Sequence, residues 1–151
     1  MTRNKKILGL EWLESRDVPA VFGIPWVDPQ HLTASFVPDG TKVSAVSSNL
    51  FGHMQADGLS TAAWEGQIEK ALQAWSSQAN INVGLVSDGG ADLGSAGLAQ
   101  GDPRFGDIRI GMRALDNSVL AITTPPGGVA DTSGGDIILN SNYHFSVGGG
   151  A

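Results

Sequence analysis

The sequence has no cysteine among its 151 residues. Disulfide scaffolds, thiolate zinc sites and cysteine nucleophiles are thereby excluded, although an exported protein can do without disulfides. Charge is also scarce, at 16% against a usual share of about a quarter. The net charge is −6, which argues against nucleic-acid binding through a basic surface. No apolar run approaches the roughly 20 residues of a membrane span. The N-terminus opens with Arg3, Lys5 and Lys6, but only residues 7–10 follow as a mostly apolar run. A secretory signal core needs about 7–15 apolar residues.

Intact catalytic signatures are missing too. The three histidines, His31, His53 and His144, do not pair at the i, i+4 spacing of a helical zinc motif. Leu93-Gly-Ser-Ala-Gly97 fails the nucleophile elbow at its first position. No glycine-rich phosphate loop ends in Lys and Ser or Thr. Gly89-Gly-Ala-Asp-Leu-Gly94 has the wrong order for a calcium nonapeptide and does not recur. These 151 residues therefore carry no catalytic residues of their own.

What is present points to a turn-rich globular domain. Hydrophobic residues make up 41% and glycine supplies 21 positions, about twice its usual share of roughly 7%. Length suits one domain or most of one. The one strongly periodic segment is 61–79, with Trp64, Ile68, Ala71, Leu72, Trp75 and Ala79 along one face of a helix. Ser60 or Thr61 suits its start and Asn80 the position past its end. Gly66 weakens it by about 1 kcal/mol relative to alanine. The face predicts a helix laid across a sheet through Trp64, Ile68, Leu72 and Trp75, carrying no chemistry.

Strands are expected on both sides of that helix. Residues 32–37 precede it, and Pro38-Asp39-Gly40 turns the chain toward a possible short return over 41–46. Residues 47–58 read as polar loop. After the helix come strands over 81–86, 107–113, 120–124 and 137–140. A long glycine-bearing loop covers 87–106, Pro125-Pro126-Gly127-Gly128 stops the third of these strands at Thr124, and 132–136 forms a tight loop. The expected class is α+β: a twisted mixed sheet of about five short strands backed by one long helix. Residues 1–20 stand apart as a disordered N-terminal segment, 21–31 as a linker, and 32–151 as the domain.

Asp102, Asp107, Asp131 and Asp136 sit in or beside glycine-rich loops. Calcium takes several oxygens from carboxylates and exposed carbonyls. Aspartates at turns and strand ends serve loop geometry more often, and both readings stand at this point.

Two resemblances add to this. Leu8-Gly-Leu-Glu-Trp-Leu-Glu-Ser-Arg-Asp-Val-Pro-Ala20 resembles a short N-terminal element of large exported bacterial proteins; a frayed amphipathic lead-in explains it equally. The order Ile68-Glu-Lys-Ala-Leu-Gln-Ala-Trp75, Gly106-Asp-Ile-Arg-Ile110, Leu120-Ala121 before Pro125-Pro126, and Gly134-Gly-Asp-Ile-Ile-Leu-Asn140 resembles the N-terminal subdomain of matrixin-type zinc metallopeptidases, within the metzincins. It covers about residues 26–145 and implies a zincin-like fold with an incomplete C-terminal subdomain.

The resemblance implies an exported or cell-surface endopeptidase acting on an extended peptide or protein, with no nucleic-acid partner. In that family a strand like 137–140 leads into a helix bearing H-E-x-x-H-x-x-G-x-x-H, whose histidines bind the catalytic zinc and whose glutamate is the general base. No such motif lies in these residues, so the chain is expected to be a fragment that does not cut peptides. Leu120, Ala121 and Ile122 would belong to the edge strand that pairs with substrate. A structural calcium would use the carboxylates of Asp107 and Asp136 and the carbonyls of Thr132 and Gly134. The histidines of a structural zinc would align with Ile122 and Ile138, so that zinc is not expected. The rival is a non-enzymatic surface or adhesion module of a larger exported protein.

Overall fold

A computed structural model describes residues 25–126 and 132–148. The export-type segment 1–20 and Asp131 lie outside the described residues. The fold is mixed α+β: a five-stranded sheet, a two-stranded sheet and two helices. The main sheet comprises β1 (Leu32–Phe36), β4 (Val83–Leu85), β5 (Ile108–Arg113), β6 (Ala121–Thr123) and β7 (Ile137–Asn140), in the order β4-β1-β5-β7-β6. The first four in that order run parallel, and β6 pairs antiparallel with β7 at the edge.

Helix α2 (Thr61–Ala79) has the expected bounds, and Asn80 takes the left-handed conformation at its end, with φ 49°. Ser60 occupies the N-cap position without a side-chain cap bond. The packing is less even than the apolar face predicts. Trp64 is buried, with its ring edge-on to Phe36 and Phe51. Ile68 and Leu72 are half-buried, and Trp75 is 67% exposed. Only the first half of α2 is clamped between the sheet and its neighbours. Beyond it, an apolar groove of about 380 Å³ opens among Ile68, Leu72, Trp75, Ile137, Leu139 and Val147.

Residues 47–58 correct the loop expectation. They contain α1 (Leu50–Ala56), whose Leu50 and Met54 are buried. These two, Trp64 and Met112 form the core on the helical face of the sheet. The return over 41–46 is a hairpin of β2 (Lys42–Val43) and β3 (Val46–Ser47), which forms its own small sheet. It covers the opposite face, where Val37, Val43 and Ile138 pack together with Leu93 and Leu115 against them. The main sheet is thus covered on both faces. Part of the expected linker is packed too: Trp26 lies against Gly135, where an added Cβ would come within 2.6 Å of its ring.

The long loop 87–106 keeps one shape through its aspartates. Asp88 accepts hydrogen bonds from Ser35, Gly90 and Arg109. Asp102 accepts from the Arg104 side chain and backbone and from Leu98 N–H. Gly106 closes the loop against β1. A Cβ there would stand 2.6 Å from the Ala34 carbonyl carbon, so the approach requires glycine.

Candidate functional site

Strand β6 is the most open regular element around a predicted site residue. All three of its residues are exposed, and Leu120 and Ile122 are 59% and 41% exposed. Its backbone polarity follows from its pairing. Ile122 stands opposite Ile138. Asn140 N–H donates to the Leu120 carbonyl at 3.0 Å, and Thr124 N–H donates to the Asp136 carbonyl at 3.1 Å. Even-numbered residues therefore turn their backbone groups toward β7. Antiparallel ladders alternate, so Ala121 and Thr123 turn their N–H and C=O groups to the outer edge. Among the described residues no strand pairs with that edge. Of the predicted residues, Ala121 and Ile122 lie on this accessible strand and Leu120 immediately precedes it, its carbonyl bonded to Asn140 N–H.

The four residues considered for calcium are arranged differently. Asp107 is buried, and both carboxylate oxygens face donors of the chain itself. One accepts from Thr33 N–H at 2.8 Å and Thr33 Oγ1 at 2.9 Å, and the other from Gly101 N–H at 2.5 Å. Thr132 Oγ1 donates to the Ser95 carbonyl, and Asp136 accepts from Arg109 N–H. Gly134 lies in the turn between Thr132 and Asp136. Calcium needs six to eight oxygens turned toward it. As placed, the two Asp107 oxygens are turned to three donors of the chain itself and not toward a shared oxygen shell. Among the described residues no group of three or more His, Asp or Glu side chains is placed to hold a metal ion.

Ile122 and Ile138 form a direct cross-strand pair. Ile138 is buried in the hairpin-side core, so the pair extends an apolar contact to the sheet edge.

Two clusters escaped the sequence reading. In the first, the Arg109 guanidinium is fully buried on β5, paired to Asp88, donating to the Ala91 carbonyl and lying over the Phe105 ring at 4.2 Å. The loop 87–106 folds over that face of β5, through the Ala91 carbonyl and the Phe105 ring. In the second, Asp57 follows α1 and accepts from His144 Nδ1 at 2.6 Å and Phe145 N–H at 2.7 Å, with His53 at 3.4 Å. The His144 bond, followed by the Phe145 bond, holds the Asp57 carboxyl below its ordinary value. His53 and Asp57 share an i, i+4 spacing that a helix over 50–56 would have revealed, whereas His144 is 87 positions away from Asp57. The hydrogen bond from Arg104 holds Asp102 well below the usual carboxylate range. Glu65, lining a second surface cavity with Phe36, Phe51 and Leu85, is pushed up by burial.

No family model, curated protein or solved structure matches the chain. Among the described residues no helix is long and apolar enough to cross a membrane.

Proposed function

We propose that the chain is the N-terminal sheet-and-helix part of an exported, matrixin-like zinc endopeptidase, and that β6 receives the extended peptide. One observation carries this reading: β6 is the antiparallel strand at the sheet edge, with the backbone groups of Ala121 and Thr123 directed outward. An extended peptide can continue the ladder there through main-chain hydrogen bonds, without reference to its side chains. The facing of Ile122 and Ile138 supports the resemblance, since both positions align with ligands of one metal in that family.

The chain's own part is to bind and orient the peptide. Edge pairing holds the substrate extended along β6, which removes much of the entropy cost that a later reaction would otherwise meet. Zinc, when held by a helix of the H-E-x-x-H kind, supplies an activated water and polarises the peptide carbonyl. On this reading its ligands lie outside residues 1–151.

The coding sequence beyond Ala151 tests this directly. An H-E-x-x-H motif within about 10–20 residues, and chelator-sensitive peptide cleavage by the extended protein, is the expected result. Absence of the motif, with peptide binding but no cleavage, overturns the peptidase reading in favour of a surface or adhesion module using the same edge.

A further inference from the structure

The ladder between β6 and β7 sorts the side chains of the edge strand by face. Ile122 stands opposite Ile138, which belongs to the hairpin-side core. Ala121 stands opposite Leu139, which packs on the helical-side core. Side chains alternate along a strand, so Leu120 and Ile122 share the hairpin face, and Ala121 and Thr123 share the helical face. One face of the edge thus carries two large aliphatic groups, 59% and 41% exposed, while the other carries only small ones.

Natural sheet edges are usually blunted by lysine, proline or inward-pointing charge. Leu120-Ala-Ile-Thr123 has none of these, and Pro125-Pro126 only ends the strand. The edge therefore combines outward backbone donors and acceptors with an uncovered aliphatic pair, which is what an incoming strand buries.

We infer that this edge selects an extended peptide with apolar residues at alternate positions, placed on the hairpin face against Leu120 and Ile122. The inference rests on the reading of β6 as the peptide-pairing edge and adds which side chains that edge prefers. Side chains directly opposite on paired strands stand with Cβ atoms about 4.5–5.5 Å apart. Valine or leucine there covers the exposed aliphatic surface; serine there leaves it wet. The small Ala121 and Thr123 leave the other face permissive.

The test uses the full chain, isotopically labelled for amide NMR, and two capped heptapeptides. One alternates valine with lysine and the other serine with lysine. Their shared lysines make attraction to a chain of net charge −6 cancel in the ratio. The valine peptide should shift the Ala121 and Thr123 amides and bind roughly 3- to 10-fold more tightly than the serine peptide. Leu120→Ser and Ile122→Ser should each bring that ratio toward one while the amide shifts persist; Leu120, the more exposed, guards against a folding defect at Ile122. Equal binding of both peptides at β6 overturns the inference and leaves the edge reading intact. No shift with either peptide, or a shift confined to Gly84 on the opposite edge, overturns both. Concentration-dependent shifts of Ala121 without peptide would assign the edge to a second copy of the chain and overturn the inference.

Discussion

The Arg109 guanidinium and the Asp88 carboxylate meet at 2.7 Å with side-chain exposures of 0% and 1%. The pair joins the middle of the sheet to the start of the loop 87–106. Its desolvation is only partly offset, because Arg109 Nη1 is buried without a hydrogen-bond partner among the described residues. Removing one member of a buried pair leaves the other charge uncompensated, at a cost of about 3–5 kcal/mol, whereas apolar replacement of both is often close to neutral. Asp88→Ala should therefore lower unfolding free energy by about 3–5 kcal/mol. The double variant Asp88→Ala, Arg109→Met should recover much of that loss. Urea denaturation of the two single variants and the double variant checks this as a cycle. Additive losses would show that the two side chains act independently.

The same pair shows where sequence legibility ends. Residues that follow a period were readable: α2 and β7 have the expected bounds, and the other strands of the main sheet lie within their expected ranges, shorter by one or two residues at an end. Helix α1 was not readable, because its N-terminal donors are satisfied from a distance. Asn49 makes no side-chain cap bond. Asp39, before the hairpin, accepts from Phe51 N–H at 2.8 Å and Gly52 N–H at 2.7 Å. A cap supplied from 12 residues upstream leaves no local signature in the sequence around 47–58. Seven residues also show too little periodicity to stand out. At the candidate site, Leu120, Ala121 and Ile122 could be placed on an edge strand, but the donors that fill Asp107 come from Thr33 and Gly101, which no local pattern connects to it.

Acid should loosen the junction between α1 and the segment after β7. The His144 bond, and after it the Phe145 bond, holds the Asp57 carboxyl below its ordinary value in the folded chain, while an unfolded aspartate titrates near about 3.9. Between those values the unfolded chain binds more protons, so falling pH favours unfolding. The contribution of Asp57 is present above about pH 4 and is lost as pH falls through its lowered folded value. Thermal melts from about pH 7 down to about pH 2.5 should show a declining midpoint on the acid side. Asp57→Asn should flatten that decline, and His144→Gln should flatten it partly, since the His144 bond is the largest cause of the shift. An unchanged acid limb in both variants would remove Asp57 from the account.

Asp107 is expected to act as a hydrogen-bond acceptor for the chain and not as a calcium ligand. A calcium ion bound to the native state at a hundredfold over Kd would add about 2.7 kcal/mol, or roughly 5–10 °C in a chain of this size. Melting midpoints with excess calcium and with chelator should coincide. Asp107→Ala should cost about 1–3 kcal/mol under both conditions, because the donors of Thr33 and Gly101 lose their acceptor. A calcium-dependent midpoint that Asp107→Ala abolishes would restore the cation site.

The two tryptophans of α2 should differ sharply in their weight. Trp64 is 3% exposed and packs edge-on against Phe36 at 5.0 Å and Phe51 at 5.2 Å. Truncating such a ring removes buried surface and leaves a cavity between helix and sheet, so Trp64→Ala should cost about 3–5 kcal/mol. Trp75 is 67% exposed and should change stability by less than about 0.5 kcal/mol as Trp75→Gln. Chemical denaturation of both variants compares them directly. A large loss at Trp75 would mean that the far half of α2 is covered, so that the groove beside it is occupied in solution. A small one at Trp64 would mean that the helix is not held to the sheet through its first turns. The contrast therefore reports where along one helix face burial stops, which the spacing of its apolar residues alone does not reveal.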